Sequence, residues 1–198
     1  QVYVDSPLAG AATEIFSGDL TGYLDEEAVE HLRGGALFRF PGLNITESTE
    51  ASRELNLDKR PKVIISASGM CDAGRIRHHL KHNLWRPEST VLFVGYQAEG
   101  SLGRRILDGA AHVKLFGEEI AVRARIVRFH GLSSHADRDG LVRWISAFTP
   151  RPKQVFVVHG EARAAENYSQ TLKELGFDAH APNYEEVYDL LSNRMIAP

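Results

Sequence analysis

Cysteine is nearly absent: Cys71 is the only one in 198 residues, so no disulfide can close within the chain, which fits a reducing compartment. Long apolar runs are lacking as well. Nothing approaches the roughly 20 residues that span a bilayer, and the amino end carries no secretory signal pattern, so no membrane partner and a cytoplasmic location are expected. Positive charge is not in excess either. The net charge of −3 excludes a uniformly cationic nucleic-acid binder and requires any polyanion to bind through a local patch. There is no starting methionine and no polar lead-in; Gln1-Val-Tyr-Val enters directly as a strand, as expected of a piece of a longer polypeptide. What remains, 43% hydrophobic and 25% charged residues, is the balance of an ordinary globular protein, and the length allows one large domain or two small ones.

The first third reads as strand-to-helix units. Residues 2–4 form a short apolar strand, and Ser6-Pro7 supplies an N-cap followed by proline at the first helical position, opening a helix to about residue 16. Residues 25–33 predict a second helix, acidic at its start, basic at its end and closed by Gly34-Gly35. A strand over 36–40, a turn at Pro41-Gly42 and a helix over 48–56 are expected next.

The middle carries two glycine-bearing junctions. Val63-Ile64-Ile65 is a continuous apolar run suited to a strand covered on both faces, and it leads into Ser66-Ala-Ser-Gly-Met-Cys-Asp-Ala-Gly74, then a helix from Arg75 to about residue 84. A strand, a glycine-rich turn and a helix amino terminus together can present unpaired backbone amides to an anion. The helix carries Arg75, Arg77, His78, His79, Lys81 and His82, then Arg86, with no acid between Arg75 and Arg86. That is the local basic patch the net charge demands. The pattern recurs: a strand over 91–94, then Gly95-Tyr-Gln-Ala-Glu-Gly-Ser-Leu-Gly103 and a helix opening at Arg104-Arg105. Two such units would set two anion cradles along one sheet edge, as a backbone of regularly spaced phosphates requires. Neither junction is a Walker loop or a full dinucleotide fingerprint. Residues 110–128 then predict a hairpin with a turn at Gly117 and alternating apolar residues over 120–127.

Two histidines stand at exposed junctions in the last third. His135 falls at a helix start, because Ser134 and Asp137 fit the capping-box pattern. His159 follows the strand-forming residues 155–158 and precedes a glycine and a helix over 161–175, which places it at the carboxyl end of a strand, where open α/β sheets gather ligands. An imidazole there supplies a metal ligand or a proton near neutral pH. Closing strands are expected over 178–181 and 186–190.

Ser-Ser-His-Ala-Asp (133–137) and Val-Val-His-Gly-Glu (157–161) resemble the last two signature motifs of the β-CASP branch of the metallo-β-lactamase superfamily, zinc-dependent nucleases that include ribonuclease J and the pre-mRNA 3′-end endonuclease. The 66–75 and 94–104 segments are similar to that family in the same order. The resemblance implies a parallel-sheet β-CASP domain with flanking helices over 1–125, incomplete at its amino end, and over 126–198 the returning αβ part of a metallo-β-lactamase fold. It implies RNA as partner, two zinc ions in the whole enzyme, and a nucleic acid threaded between the two parts. His159 would ligate one zinc. His135 would contact the scissile phosphate or protonate the leaving oxygen, with Asp137 or an acid outside this chain as its carboxylate partner, and Ser66, Ser68, Gly69, Met70, Gly74, Arg75, Gln97, Gly100, Ser133 and Ser134 would hold phosphates. Histidine at the last motif goes with RNA-processing members of the family.

The family's His-x-His-x-Asp-His motif, its next histidine, its bridging aspartate and its first β-CASP motif are missing from these residues. Catalytic zinc keeps three protein ligands, so the isolated chain is expected to hold no stoichiometric zinc, to be inactive, and to require the metal-binding amino-terminal half; a homodimer is an open expectation. A non-catalytic RNA-binding α/β module is the alternative. A Rossmann-like enzyme ranks last, since no acidic ribose ligand closes a second strand.

Overall fold

A computed structural model describes residues 1–18, 20, 22–32, 38, 40–131, 135–192 and 194–197. The chain divides into two compact units, Gln1–Leu132 and Ser133–Pro198. No helix among the described residues is long and apolar enough to cross a membrane.

In the first unit β1 (Val2–Val4) lies between β2 (Leu43–Ile45) and β3 (Val63–Ile65), all parallel, with Val2 opposite both Leu43 and Val63. The connections are helical: α1 (Pro7–Phe16), α2 (Glu26–Leu32) and α3 (Thr49–Leu57). Ser6 and Ser48 cap α1 and α3, accepting the Ala9 and Ala51 N–H at 3.4 and 3.1 Å, which satisfies amide groups that have no partner within the helix. The expected strand over 36–40 is not found at Phe38 or Phe40; residues 36, 37 and 39, like Arg33, Gly34 and Gly35 of the predicted helix stop, lie outside the described residues. β3 is not covered on both faces either. Val63 and Ile65 are 55% and 52% exposed, because a strand alternates its side chains and only one face of this one meets protein.

Next come α4 (Ile76–Asn83), β4 (Thr90–Phe93), α5 (Leu102–Leu107), β5 (His112–Leu115), β6 (Glu118–Ala121) and β7 (Arg125–Arg128). β5 and β6 form the antiparallel hairpin, with Leu115 opposite Glu118. Its two-residue turn, Phe116-Gly117, has φ of +51° and +85°, the left-handed pair that matches strand twist. Phe116 is held there by the Arg77 guanidinium 4.7 Å from its ring and by the His78 ring stacked at 4.5 Å. The predicted single strand over 120–127 breaks in two. The Arg123 and Ala124 amides both donate to Leu84 O at 2.9 Å, turning the chain so that β7 pairs in parallel with β4. Leu80, Leu84, Phe93, Ile106, Val113 and Leu115 make the buried core.

The second unit contains α6 (Arg138–Ser146), β8 (Val155–Phe156), α7 (Ala162–Glu174), β9 (Ala179–His180), β10 (Val187–Asp189) and β11 (Arg194–Ala197). β8 and β9 are parallel and β10 and β11 antiparallel. Ile145, Leu172, Phe177 and Ala179 form its core. α6 starts later than its expected capping box: Asp137 is itself the N-cap, its Oδ1 accepting the Gly140 N–H at 2.7 Å. A short carboxylate side chain at N-cap satisfies this amide directly.

Leu84 is fully buried where β5, β7 and α4 converge. Truncation to alanine there is expected to cost about 2–5 kcal/mol, read as a lower denaturant midpoint with an unchanged slope.

Candidate nucleic-acid interface and active-site histidines

The two glycine junctions are not separate cradles; they clasp one another. The Gln97 side chain is 3% exposed, and its Nε2 donates to Gly69 O at 2.9 Å, Tyr96 O at 3.1 Å and Gly95 O at 3.3 Å. Gly103 N donates to Met70 O, and Leu102 N to Asp72 Oδ1, each at 2.9 Å. A side chain at Gly103 would collide with Gln97, so the close approach requires glycine there. Gly74, at φ +78°, would drive a Cβ into the Ala67 carbonyl. Ser68 closes the first loop, its N–H on Ala73 O at 3.1 Å and its Oγ accepting Ala73 N–H at 3.3 Å.

This geometry corrects the expected source of anion contacts. The first amides of α5 are taken by Asp72, Met70 O and Ser101 Oγ, and Ile76 N, at the start of α4, donates to Ala67 O. Neither helix start offers an open ring of donors. What faces open space is loop backbone: a Cβ built on Gly69, Gly95 or Gly100 meets nothing within 4 Å.

Arg75, expected on phosphate, turns inward. Its NH1 donates to Asp5 Oδ1 at 2.8 Å and Thr46 O at 2.9 Å, and its NH2 to Glu47 O at 2.8 Å. The rest of the basic helix is also largely engaged. Lys81 pairs with Glu118 at 2.6 Å and Arg86 with Glu88 at 2.9 Å, Arg77 and His78 hold Phe116, and His79 is buried. The expected cationic patch is therefore mostly engaged with neighbouring carboxylates, carbonyls and the Phe116 ring. Ser66 belongs to the scaffold too, its Oγ donating to Asp5 O at 2.9 Å.

Sequence reasoning passed over the network beneath this loop. Asp5, 0% exposed, accepts from Arg75, from Ser52 Oγ at 2.6 Å and, through Oδ2, faces His79 Nε2 at 2.5 Å. Burial alone would raise its carboxyl, but hydrogen bonds from Ser52, His79 and Arg75 together hold it below the usual carboxylate range. Burial pushes the His79 imidazole down, and the Asp5 carboxylate pulls it up. The signal was present: residues 76, 79, 80 and 83 share one helical face, so His79 had to share the buried side with Leu80.

Among the histidines of the second unit, His159 is exposed just past β8 with φ +66°. His135 is exposed before α6, and Asp137, its expected carboxylate partner, accepts from Gly140. Ser133 and Ser134 lie outside the described residues. No three His, Cys, Asp or Glu side chains among the described residues converge to hold a metal. His159 is a single donor where zinc needs three or four, so the described residues do not make up a zinc site.

Residues 1–106 match the sequence profile described as "Beta-Casp domain", and residues 119–182 that of "Zn-dependent metallo-hydrolase RNA specificity domain". The chain belongs to the β-CASP family of the metallo-β-lactamase superfamily. It is 42% identical over 161 residues to Ribonuclease TTHA0252 of Thermus thermophilus, covering 81% of this chain and 36% of that one. It is 35% identical over 153 residues to Transcription termination factor FttA of Thermococcus kodakarensis, covering 72% of this chain and 24% of the relative. An RNase J-like protein of Methanocaldococcus jannaschii is 35% identical over 126 residues, covering 64% and 29%. The β-CASP chain thus spans from about a quarter to just over a third of the length of these relatives.

Cys71 sits inside the clasped loops, 3% exposed, with burial raising its thiol to about 11. A thiol reagent at pH 8 is expected to leave it unmodified in the folded β-CASP chain and to react once denaturant opens the loops; rapid modification without denaturant would contradict the clasp.

Proposed function

We propose that this chain is the RNA-gripping and partial active-site portion of a zinc-dependent ribonuclease that hydrolyses phosphodiester bonds. The observation that carries the proposal is the pair of interlocked glycine loops, whose backbone at Gly69, Gly95 and Gly100 is open to a ligand on a base made rigid by Gln97. Backbone of that kind admits a sugar-phosphate strand closely and without base selectivity. The names of the relatives, a ribonuclease among them, and the RNA-specificity profile favour RNA over DNA, as does histidine at position 159.

In this proposal the first unit grips the strand and the second returns two imidazoles to a metal centre. His159 supplies one ligand, the remaining ligands coming from residues outside the 198. His135 would serve as a proton donor or as a phosphate contact. Zinc, when bound, would supply the hydroxide nucleophile and charge neutralisation.

Two results test this. Metal analysis of the purified chain is expected to find no tightly held stoichiometric zinc, and one or more ions per chain would reject the division of ligands. In a protein carrying the metal-binding half, His135→Ala is expected to lower RNA cleavage by about 10²–10⁴-fold with a much smaller loss of RNA affinity. Preference for DNA in a competition between labelled strands of equal length would reject the RNA assignment.

A further inference from the structure

Both ends of the 66–75 loop are tied to one residue outside it. Asp5 N donates to Ile65 O at 2.8 Å, Ser66 Oγ donates to Asp5 O at 2.9 Å, and Arg75 NH1 donates to Asp5 Oδ1 at 2.8 Å. The other carboxylate oxygen accepts from Ser52 Oγ and faces His79 Nε2. On the far side of the ring, His79 Nδ1 lies 2.9 Å from Asn56 Oδ1.

The identity of that amide atom is fixed by its neighbours. Asn83 Nδ2 donates to His79 O at 2.9 Å and to Asn56 Oδ1 at 3.3 Å, while Asn83 Oδ1 accepts from Arg86 NH1 at 3.2 Å. Asn56 Nδ2 points to Ser52 O at 3.5 Å. Turning Asn56 over would oppose two amide nitrogens and set an oxygen against the Ser52 carbonyl. Both ring nitrogens of His79 therefore face oxygen acceptors. A neutral imidazole has one N–H and would present a lone pair to one of them, an unpaired contact in a site that water does not reach.

We infer that His79 is a buried imidazolium which, together with Arg75, locks Asp5 as a carboxylate, and that this charged triad positions both ends of the glycine loop that grips RNA. The second half of the inference rests on the loop's role under Proposed function; the charge state does not. The charged and titratable groups bearing on His79 are Asp5 from β1 and, from its own helix, Arg75, His78 and His82; α3 offers neutral Ser52 and Asn56. Burial and the neighbouring cations oppose the charge, and two aligned acceptors, one of them anionic, outweigh them. Asp5, held below the usual carboxylate range, contributes stability that is lost as pH falls through its depressed value.

The imidazole ¹⁵N–¹H signals of the 198-residue chain at pH 7.5 test the charge state. Both His79 nitrogens should carry protons and stay unchanged between pH 6 and 7.5. A single-proton tautomer would overturn the inference and assign the second proton to a neutral Asp5–His79 pair. For the positioning role, Asp5→Asn and the milder Ser66→Ala are measured by fluorescence anisotropy with a single-stranded RNA oligonucleotide, with thermal melts alongside. Weaker binding by about fivefold or more for Asp5→Asn is expected, and the slope of log affinity against log salt should fall by about one contact, a change that mere loss of folded protein does not produce. Ser66→Ala should shift in the same direction by a smaller factor, and it decides the matter should Asp5→Asn not fold. Wild-type affinity and slope in the folded variants would overturn the positioning role alone. No RNA binding by the unmodified chain would reject the proposed function and the positioning role with it, leaving the imidazolium to stand on its own signals.

Discussion

The Asp5 carboxylate, buried at the end of the central strand of its sheet, is the constraint on which the first unit depends. It is fully out of water and still ionised because Arg75, Ser52 and His79 satisfy its oxygens. A buried ion pair of this kind contributes little net stability against an apolar substitute, but leaving one partner unpaired costs about 3–5 kcal/mol. The network therefore acts by specifying arrangement. It pins β1 to α3 and α4 and holds the glycine loop between β3 and α4 at both ends.

From that anchor the geometry propagates by hydrogen bonds that loop side chains and loop backbone make to loop backbone. Gln97, buried in the second glycine loop, reaches three carbonyls, and Asp72 and Met70 O in turn occupy the first amides of α5. Each glycine loop is thus the support of the other. This has a functional side. A ligand strand laid against open glycine backbone gains contacts whose ordering cost is already met by the fold, which is how preorganised sites gain affinity.

Much of the arrangement was legible in the sequence, and the failures have identifiable causes. Ser6-Pro7 and the acid-rich start at Glu26 marked helix starts correctly, because caps act within one turn. The glycine junctions and the order of elements were also legible, as was the family, through the segments around His135 and His159. The phosphate role of Arg75 and the basic face of α4 misled because charge counts ignore where a helix points its residues. Arg75 and His79 lie four apart, so both face Asp5, a partner some seventy positions away that no local pattern announces. The hairpin was overextended for a similar reason: Leu84 O, across the fold, takes the Arg123 and Ala124 amides and ends β6.

The central claim is that nucleic acid meets the clasped loops and not the basic face of α4. Titrating the ¹⁵N-labelled chain with a single-stranded RNA oligonucleotide measures this directly, amide by amide. The account predicts that the largest shifts fall on Gly69, Met70, Gly95 and Gly100. Shifts concentrated on His78 and His82, with those loop amides unmoved, would contradict it.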